Sequence, residues 1–263
     1  SSSGSGVAVS AGLCMGAIGT DTGGSIRYPS ATCSLVGIKP TYELVSRDGV
    51  FPLSQRLDHV GPICRSVDDA EIFLNSLIDT DIPKVNTPLN NIRIGVDQEY
   101  IKNGVNPEVS DLVFQAINVF EELGAKLIEV KVPTLVGGDD TWVTVTLVDA
   151  LKDHEEFFPR NRSLYGPFGD QLEGAADIDP AVFEQCITYG DNFRQDFNKL
   201  FDDVDVIMCP TMVTIPPALK ARNSMRGGDD VMSDWTISDA DWGEYSDRIG
   251  KFTAPFNFSG NPT

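Results

Sequence analysis

Only two histidines, His59 and His154, occur in the 263 residues. A serine nucleophile activated by a histidine base therefore has few candidates, and neither LDHVGP nor KDHEEF marks its histidine as one. Basic residues are also scarce, with 20 Lys and Arg against 39 Asp and Glu and a formal charge of −19. That balance repels phosphate backbones and anionic lipid headgroups, and no Lys/Arg cluster offsets it, so neither nucleic acid nor a membrane is expected as a partner. No apolar run approaches the roughly 20 residues that span a bilayer. No secretion signal opens the chain. The five cysteines are odd in number and widely spaced, with no C-x-x-C pair. They read as buried free thiols of a reducing, cytoplasmic compartment. Two distant histidines and scattered cysteines make no metal-ligand set, and the one Gly-rich turn lacks both the GK[ST] and the G-x-G-x-x-G spacing of phosphate loops. No metal or cofactor is expected.

What is present reads as an α/β chain. The run VAVSAGL at Val7 to Leu13 fits a packed helix or a short strand, and periodicity does not decide. MGAIGT reads as a buried strand entering the turn TDTGGS. Ile26 to Cys33 follows as a helical turn interrupted near Pro29, and LVGIKP as a strand stopped by Pro40. The clearest unit starts at Ile92. There IRIGVD is a strand, PEVSDLVFQAINVFEELG places Val109, Leu112, Val113, Ile117, Phe120 and Leu123 on one helical face, and AKLIEVKVP is the next strand. Strand, helix, strand at this spacing predicts a parallel βαβ unit. Thr141 to Phe201 reads as mostly helical with a break at LYGPFGDQ, and DDVDVIMCPT as a further strand. The polar, acidic stretch after it, holding Trp235, Trp242 and Tyr245, reads as a surface excursion.

The chemistry concentrates in GTDTGGS, where Gly23 and Gly24 directly precede Ser25. Adjacent glycines let backbone amides converge on one point, and a nest of amides beside a hydroxyl is the minimum for acyl transfer. The same seven residues also fit a plain glycine turn. A lysine base would have to be held neutral by burial. Lys39, in GIKP, is the lysine nearest in sequence, and its place at a strand end before proline fits a structural role.

SSSGSGVAVSAGLCMGAIGTDTGGSIRYPS, through Ser30, resembles the Ser/Gly-rich motif of the amidase signature hydrolases. GIKPT, LDHVGPICRSVDDA, VDVIMCPT and FTAPFNFSGNPT resemble further blocks of that family, so the resemblance covers most of the chain. It implies Ser25 as nucleophile and Ser1, preceded in the family by a cis peptide bond, as the relay serine. It implies the amides of Thr22, Gly23, Gly24 and Ser25 as the oxyanion hole, with Ser2, Asp21 and Arg27 as supports of the motif. The family's third catalytic group is a lysine upstream of the relay serine. No residue here matches it, so the chain is expected to be an internal part of a longer amidase, with negligible hydrolysis when isolated. The implied fold is one domain over residues 1–263, a mixed, largely parallel central sheet sandwiched by helices and incomplete at both ends.

The resemblance further implies hydrolysis of a small-molecule carboxamide to a carboxylic acid and ammonia or amine, and allows a homo-oligomer. Two alternatives stand beside it. One is an amidotransferase A-type subunit releasing ammonia from glutamine; the other is a catalytically silent truncated module. The stretch DALKDHEEFFPRNRSLYGPFGDQLEGA is more similar to general amidases than to the transamidating branch. Trp142, Phe157, Phe158, Tyr165, Phe168, Trp235 and Trp242 are candidates to line an apolar cleft, though core packing is the simpler reading of each. An acidic loop from Asp229 to Asp247 would disfavour anionic substrates if it covered the mouth.

Overall fold

The computed structural model describes residues 1–79, 82, 87–135, 138–216 and 250–263. Helix α1 (Ser3–Ser10) leads into β1 (Gly16–Asp21), the glycine turn and α2 (Arg27–Thr32), followed by β2 (Val36–Gly37), β3 (His59–Cys64) and α3 (Val67–Ser76). Next come β4 (Arg93–Val96), α4 (Gln98–Lys102), α5 (Pro107–Glu122) and β5 (Lys126–Glu129). Helices α6 (Gly138–Asp153), α7 (Phe158–Asn161), α8 (Gly166–Ala175) and α9 (Pro180–Asn198) precede β6 (Val206–Ile207), and α10 (Ala254–Ser259) lies near the chain's end. The polar stretch from Ala218 to Arg248, with Trp235, Trp242, Tyr245 and the acidic run, lies outside the described residues.

The architecture is mixed α/β. The described strands form two ladders, one antiparallel in the order β1-β3-β2 and one parallel in the order β5-β4-β6. A cleft of about 740 Å³ is lined by Val36 and Gly37 of the first ladder and by Val206 and Ile207 of the second.

The parallel ladder is the βαβ unit expected from the sequence, with Ile94 opposite Leu127. Helix α5 starts where Asn106 accepts from Glu108 N–H at 2.9 Å, and Pro107 takes the first position, whose N–H would have no partner in the helix. Val113, Phe114, Ile117 and Phe120 pack against Ile94 and Val96. Leu112 and Leu123, expected on that face, are 62% and 60% exposed. At about 100° per residue they fall about 120–140° round the helix from Ile117, outside the buried stripe.

The antiparallel ladder departs more from expectation. All six residues of β3 are buried, although a Gly-Pro pair such as Gly61–Pro62 ordinarily favours a turn. Pro62 has no N–H to leave unpaired, and its carbonyl accepts from Ile38 N–H at 3.1 Å. Pro29 does not interrupt α2 either, because it sits in the first turn, where an N–H lacks an intrahelical acceptor anyway. Val7 to Ser10 of the small apolar run lie in helix α1, which begins at Ser3, and the rest of the run follows it as a turn.

Helix α10 is buried at every residue and closes on Gly260 at φ +76°. Its flanking and own aromatics, Phe252, Phe256 and Phe258, share a cluster with Val145 of α6 and with Phe193 and Phe197 of α9. This packing seats α10 beside the glycine turn. The five cysteines are free; Cys64 is buried and the other four are partly exposed, Cys14, Cys186 and Cys209 among them packing at the margins of hydrophobic clusters. No described helix is long and apolar enough to cross a membrane.

Candidate active site

Strand β1 ends at Asp21, whose carboxylate organises the turn that follows. It accepts from Gly24 N–H at 2.8 Å and Ile26 N–H at 3.1 Å, and from Arg27 through Nε at 3.0 Å and Nη2 at 2.8 Å. Asn257 on α10 donates to Asp21 Oδ1 at 2.9 Å and accepts from Arg27 Nη2 at 2.6 Å. Burial alone would raise the Asp21 pKa. The charge of Arg27 and the hydrogen bonds from Arg27, Asn257 and Ile26 overrule it and hold the carboxyl well below the usual range. Both partners are buried and ionised, which suits a scaffold and not a proton carrier.

The turn itself is oriented peptide by peptide. Asp21 C=O accepts from Asn257 Nδ2 at 3.0 Å, Thr22 C=O from Trp142 Nε1 at 2.9 Å, and Gly24 C=O from Tyr28 N–H at 2.7 Å. In a trans peptide the carbonyl and the following N–H point in opposite directions. Holding these three carbonyls therefore aims the N–H groups of Thr22, Gly23 and Ser25 the other way, and none of the three has an acceptor among the described residues. The peptide between Gly23 and Gly24 is held at both ends, its carbonyl by Thr253 Oγ1 at 2.6 Å and its N–H by Asp21. Of the four amides expected to face an oxyanion, that of Gly24 is thus committed to Asp21, because the carboxylate is the stronger acceptor already in place.

Both glycines are required by space. Gly24 has φ +137°, and a Cβ there would collide with the Tyr28 ring, while a Cβ on Gly23 would lie 2.5 Å from the Trp142 indole. Thr22 is fixed by its hydroxyl, which donates to Asp58 Oδ1 at 2.6 Å, and the other Asp58 oxygen accepts from the Leu53 and Ser54 amides.

Ser25 is half-buried at the end of this turn. Its carbonyl accepts from Ser2 N–H at 3.0 Å, which ties the head of the chain to the turn; Ser1 itself is exposed. Ser2 precedes α1 without capping it. Its hydroxyl instead donates to Thr20 C=O at 3.1 Å and accepts from Thr20 N–H at 3.0 Å, locking α1 to β1.

Lys39 is fully buried, and its Nζ donates to Asn261 C=O at 2.6 Å and Pro40 C=O at 3.2 Å. Burial, and then the charge of Arg27, lower its pKa to about 7, against the opposing pull of Asp21. A neutral amine has two N–H donors, which match the two carbonyls. His59 donates from Nδ1 to Leu57 C=O at 2.7 Å, leaving a buried Nε2 without a partner among the described residues. Burial, and then the charge on Lys39, push its pKa to about 3. His154 bonds Pro52 C=O and the Tyr165 hydroxyl, each at 3.0 Å. A carbonyl only accepts, so Nε2 carries a proton toward Pro52. Neither histidine is hydrogen-bonded to Ser25.

Of the aromatics considered for a cleft, Trp142 touches the turn. Phe158, Tyr165 and Phe168 instead pack with Ala150 and Leu172, and Phe157 meets Phe51. Thr253, Asn257 and Asp58 were not singled out from sequence. Thr253 and Asn257 lie in FTAPFNFSGNPT, whose local pattern carries no chemical signal of its own, and Asp58 lies beside His59 in LDHVGP. Among the described residues no group of three or more His, Cys, Asp or Glu side chains is placed to hold a metal.

Comparison with known proteins gives the chain's family. The family model described as Amidase matches residues 1–262. A Mycobacterium tuberculosis (strain ATCC 25618 / H37Rv) protein that carries an amidase name, AmiD, is 33% identical over 277 residues, covering 100% of this chain and 55% of its own length. The A-type subunit of the glutamyl-tRNA(Gln) amidotransferase of Chromohalobacter salexigens is 32% identical over 255 residues, covering 81% of this chain and 52% of its own. A solved structure described as a crystal structure of amidase superposes with a TM-score of 0.81 at 27% identity, covering 98% of this chain and 56% of that one. The chain thus spans about half the length of the relatives it matches. With the family's model matching from Ser1 to Pro262, this chain belongs to the amidase family.

Proposed function

We propose that this chain carries the nucleophilic half of a serine amidohydrolase. The observation that carries the reading is the set of oriented peptides before Ser25, whose Thr22, Gly23 and Ser25 N–H groups are left open by bonds made to the opposite faces of the turn. Ser25 Oγ attacks a carboxamide carbon, and the negative charge that develops on its oxygen is met by those amides, already aimed and needing no reorganisation. Ser1, the neighbour of the Ser2 that bonds the Ser25 carbonyl, passes the Ser25 proton to a lysine supplied by sequence upstream of it, and the reverse path protonates the leaving amine. Water then resolves the acyl-enzyme to the carboxylic acid. Lys39 takes no part, its amine being engaged by two carbonyls.

The test uses the polypeptide as its gene encodes it. Ser25→Ala should lower turnover of a neutral carboxamide by at least about a thousandfold and abolish labelling by a fluorophosphonate. Labelling that persists on another serine would overturn the assignment.

A second reading is favoured by the relatives named as amidotransferase subunits. In it the same serine releases ammonia from glutamine for a tRNA-bound acceptor. In sequence the amidase-named relative aligns over the whole chain and these two amidotransferase subunits over 81% of it, which favours the hydrolase. Glutaminase activity together with copurification of a tRNA-binding partner would reverse the preference.

A further inference from the structure

Thr253 stands at the N-terminal boundary of α10, where a threonine hydroxyl ordinarily accepts an N–H from the first helical turn. That bond is not made. The hydroxyl donates instead to Gly23 C=O at 2.6 Å, 230 positions away in sequence, and lies 2.6 Å from the Tyr28 hydroxyl. Because Gly23 C=O can only accept, the single Thr253 proton belongs to that bond, and Tyr28 O–H is the donor to Thr253. The result is a one-way chain, from Tyr28 O–H to Thr253 O–H to Gly23 C=O. Thr253 is fully buried, and its own carbonyl accepts from Arg27 Nη1 at 3.0 Å, so it is held on both sides.

The bond acts on the peptide between Gly23 and Gly24, whose N–H is already taken by the side chain of Asp21. The peptides ending in Gly23 N–H and Ser25 N–H leave those amides open, whereas the peptide between them sends its N–H to Asp21. If that middle peptide rotated, its carbonyl dipole would turn toward the point the open amides serve, and a negative oxygen there would meet a negative pole. We infer that Thr253 is a positioning residue of the turn, holding Gly23 C=O so that the flanking amides converge, with Tyr28 as the upstream donor that orients its hydroxyl. The inference rests on the acyl-transfer reading of Ser25. Thr253 bonds the turn and not a reacting atom, so its effect belongs to the transition state, where the oxyanion is formed, and not to binding of the neutral amide.

The test compares Thr253→Val, which keeps the shape and loses the hydroxyl, with Thr253→Ser, which keeps the hydroxyl, and with Tyr28→Phe. In the polypeptide as encoded, T253V should lower kcat about 10- to 100-fold with KM within about threefold, and T253S should stay within about threefold of wild type. Y28F should show a several-fold loss in the same direction. Affinity for phenylboronic acid, whose tetrahedral serine adduct carries a negative charge, should fall in parallel with kcat. Unchanged kcat in T253V, an equal loss in T253S, or a rise in KM alone would each overturn the inference. Should T253V fail to fold, Y28F decides: unchanged kcat and boronate affinity would overturn it. Turnover that survives Ser25→Ala would remove the acyl-transfer reading and this inference together; a dead Ser25→Ala beside an unaffected T253V would remove this inference alone.

Discussion

The two ladders are built on different principles. The parallel ladder is held by a helix that presents one apolar stripe to two strands, with Ile94 and Ile117 buried at its centre and a capped, proline-led start to α5. The antiparallel ladder carries the glycine turn, and what fixes that turn is polar: an ion pair, an asparagine, a threonine and an indole reaching it from α2, α10 and α6. The first kind of region tolerates small shifts as long as the stripe stays covered. The second needs each donor to meet one acceptor, and that requirement gives the turn a single conformation.

Arg27→Met should break the polar region most severely. It removes three donors from the Asp21 and Asn257 oxygens and a fourth from Thr253 C=O, leaving a buried carboxylate without its counter-charge. The expected cost is about 3–5 kcal/mol, read by urea unfolding, with loss of fluorophosphonate labelling of Ser25 in any protein that remains folded. A loss below about 1 kcal/mol would mean that the pair does not hold the turn.

Ile94→Ala tests the other region. Ile94 is 1% exposed on the central strand of the parallel ladder, and its truncation should cost about 2–4 kcal/mol while leaving kcat per folded molecule close to wild type. An equal loss of kcat would show that the two ladders are coupled across their cleft.

The same contrast explains what could be read in the sequence. Strand β4, helix α5 and strand β5 were legible because an apolar stripe recurs at helical spacing and Pro107 and Gly124 mark its limits; all of that information is local. Strand β3 was not, because Gly61 and Pro62 carry turn signals that only the surrounding ladder overrides. In the site, the glycines and Ser25 were legible as a nest beside a hydroxyl, and the resemblance added Ser1, Ser2, Asp21 and Arg27. The sharing-out of the turn's peptide groups was not. It depends on Trp142, Thr253 and Asn257, which lie 120 to 236 positions from the groups they bond. No spacing rule reports contacts of that range. The commitment of the Gly24 amide to Asp21 was equally hidden, since a motif names the residues of a nest without saying which N–H groups remain open.

The smallest expected effect concerns Lys39, where the polar region should give the protein a pH dependence that the parallel ladder does not supply. Burial, aided by the charge of Arg27, lowers the Lys39 pKa from 10.5 to about 7, so between those values the unfolded chain binds a proton there that the folded one does not. Stability must then rise with pH across that window, by at most about 1.4 kcal/mol per unit, and flatten below about 7, where both states are protonated. The sign is opposite to that of a lysine stabilised by a carboxylate, because here Asp21 is outweighed by desolvation and by Arg27. Urea unfolding at pH 7, 8 and 9 should show the rise in the wild type and lose most of it in Lys39→Met. That variant also gives up the hydrogen bonds to Pro40 and Asn261, so its stability should fall furthest below wild type at pH 9, where the neutral amine serves both carbonyls without a charge penalty. A wild-type stability that stays level or declines from pH 7 to 9, in parallel with Lys39→Met, would show that the buried amine keeps its proton, and that the charge balance around Asp21 and Arg27 includes it.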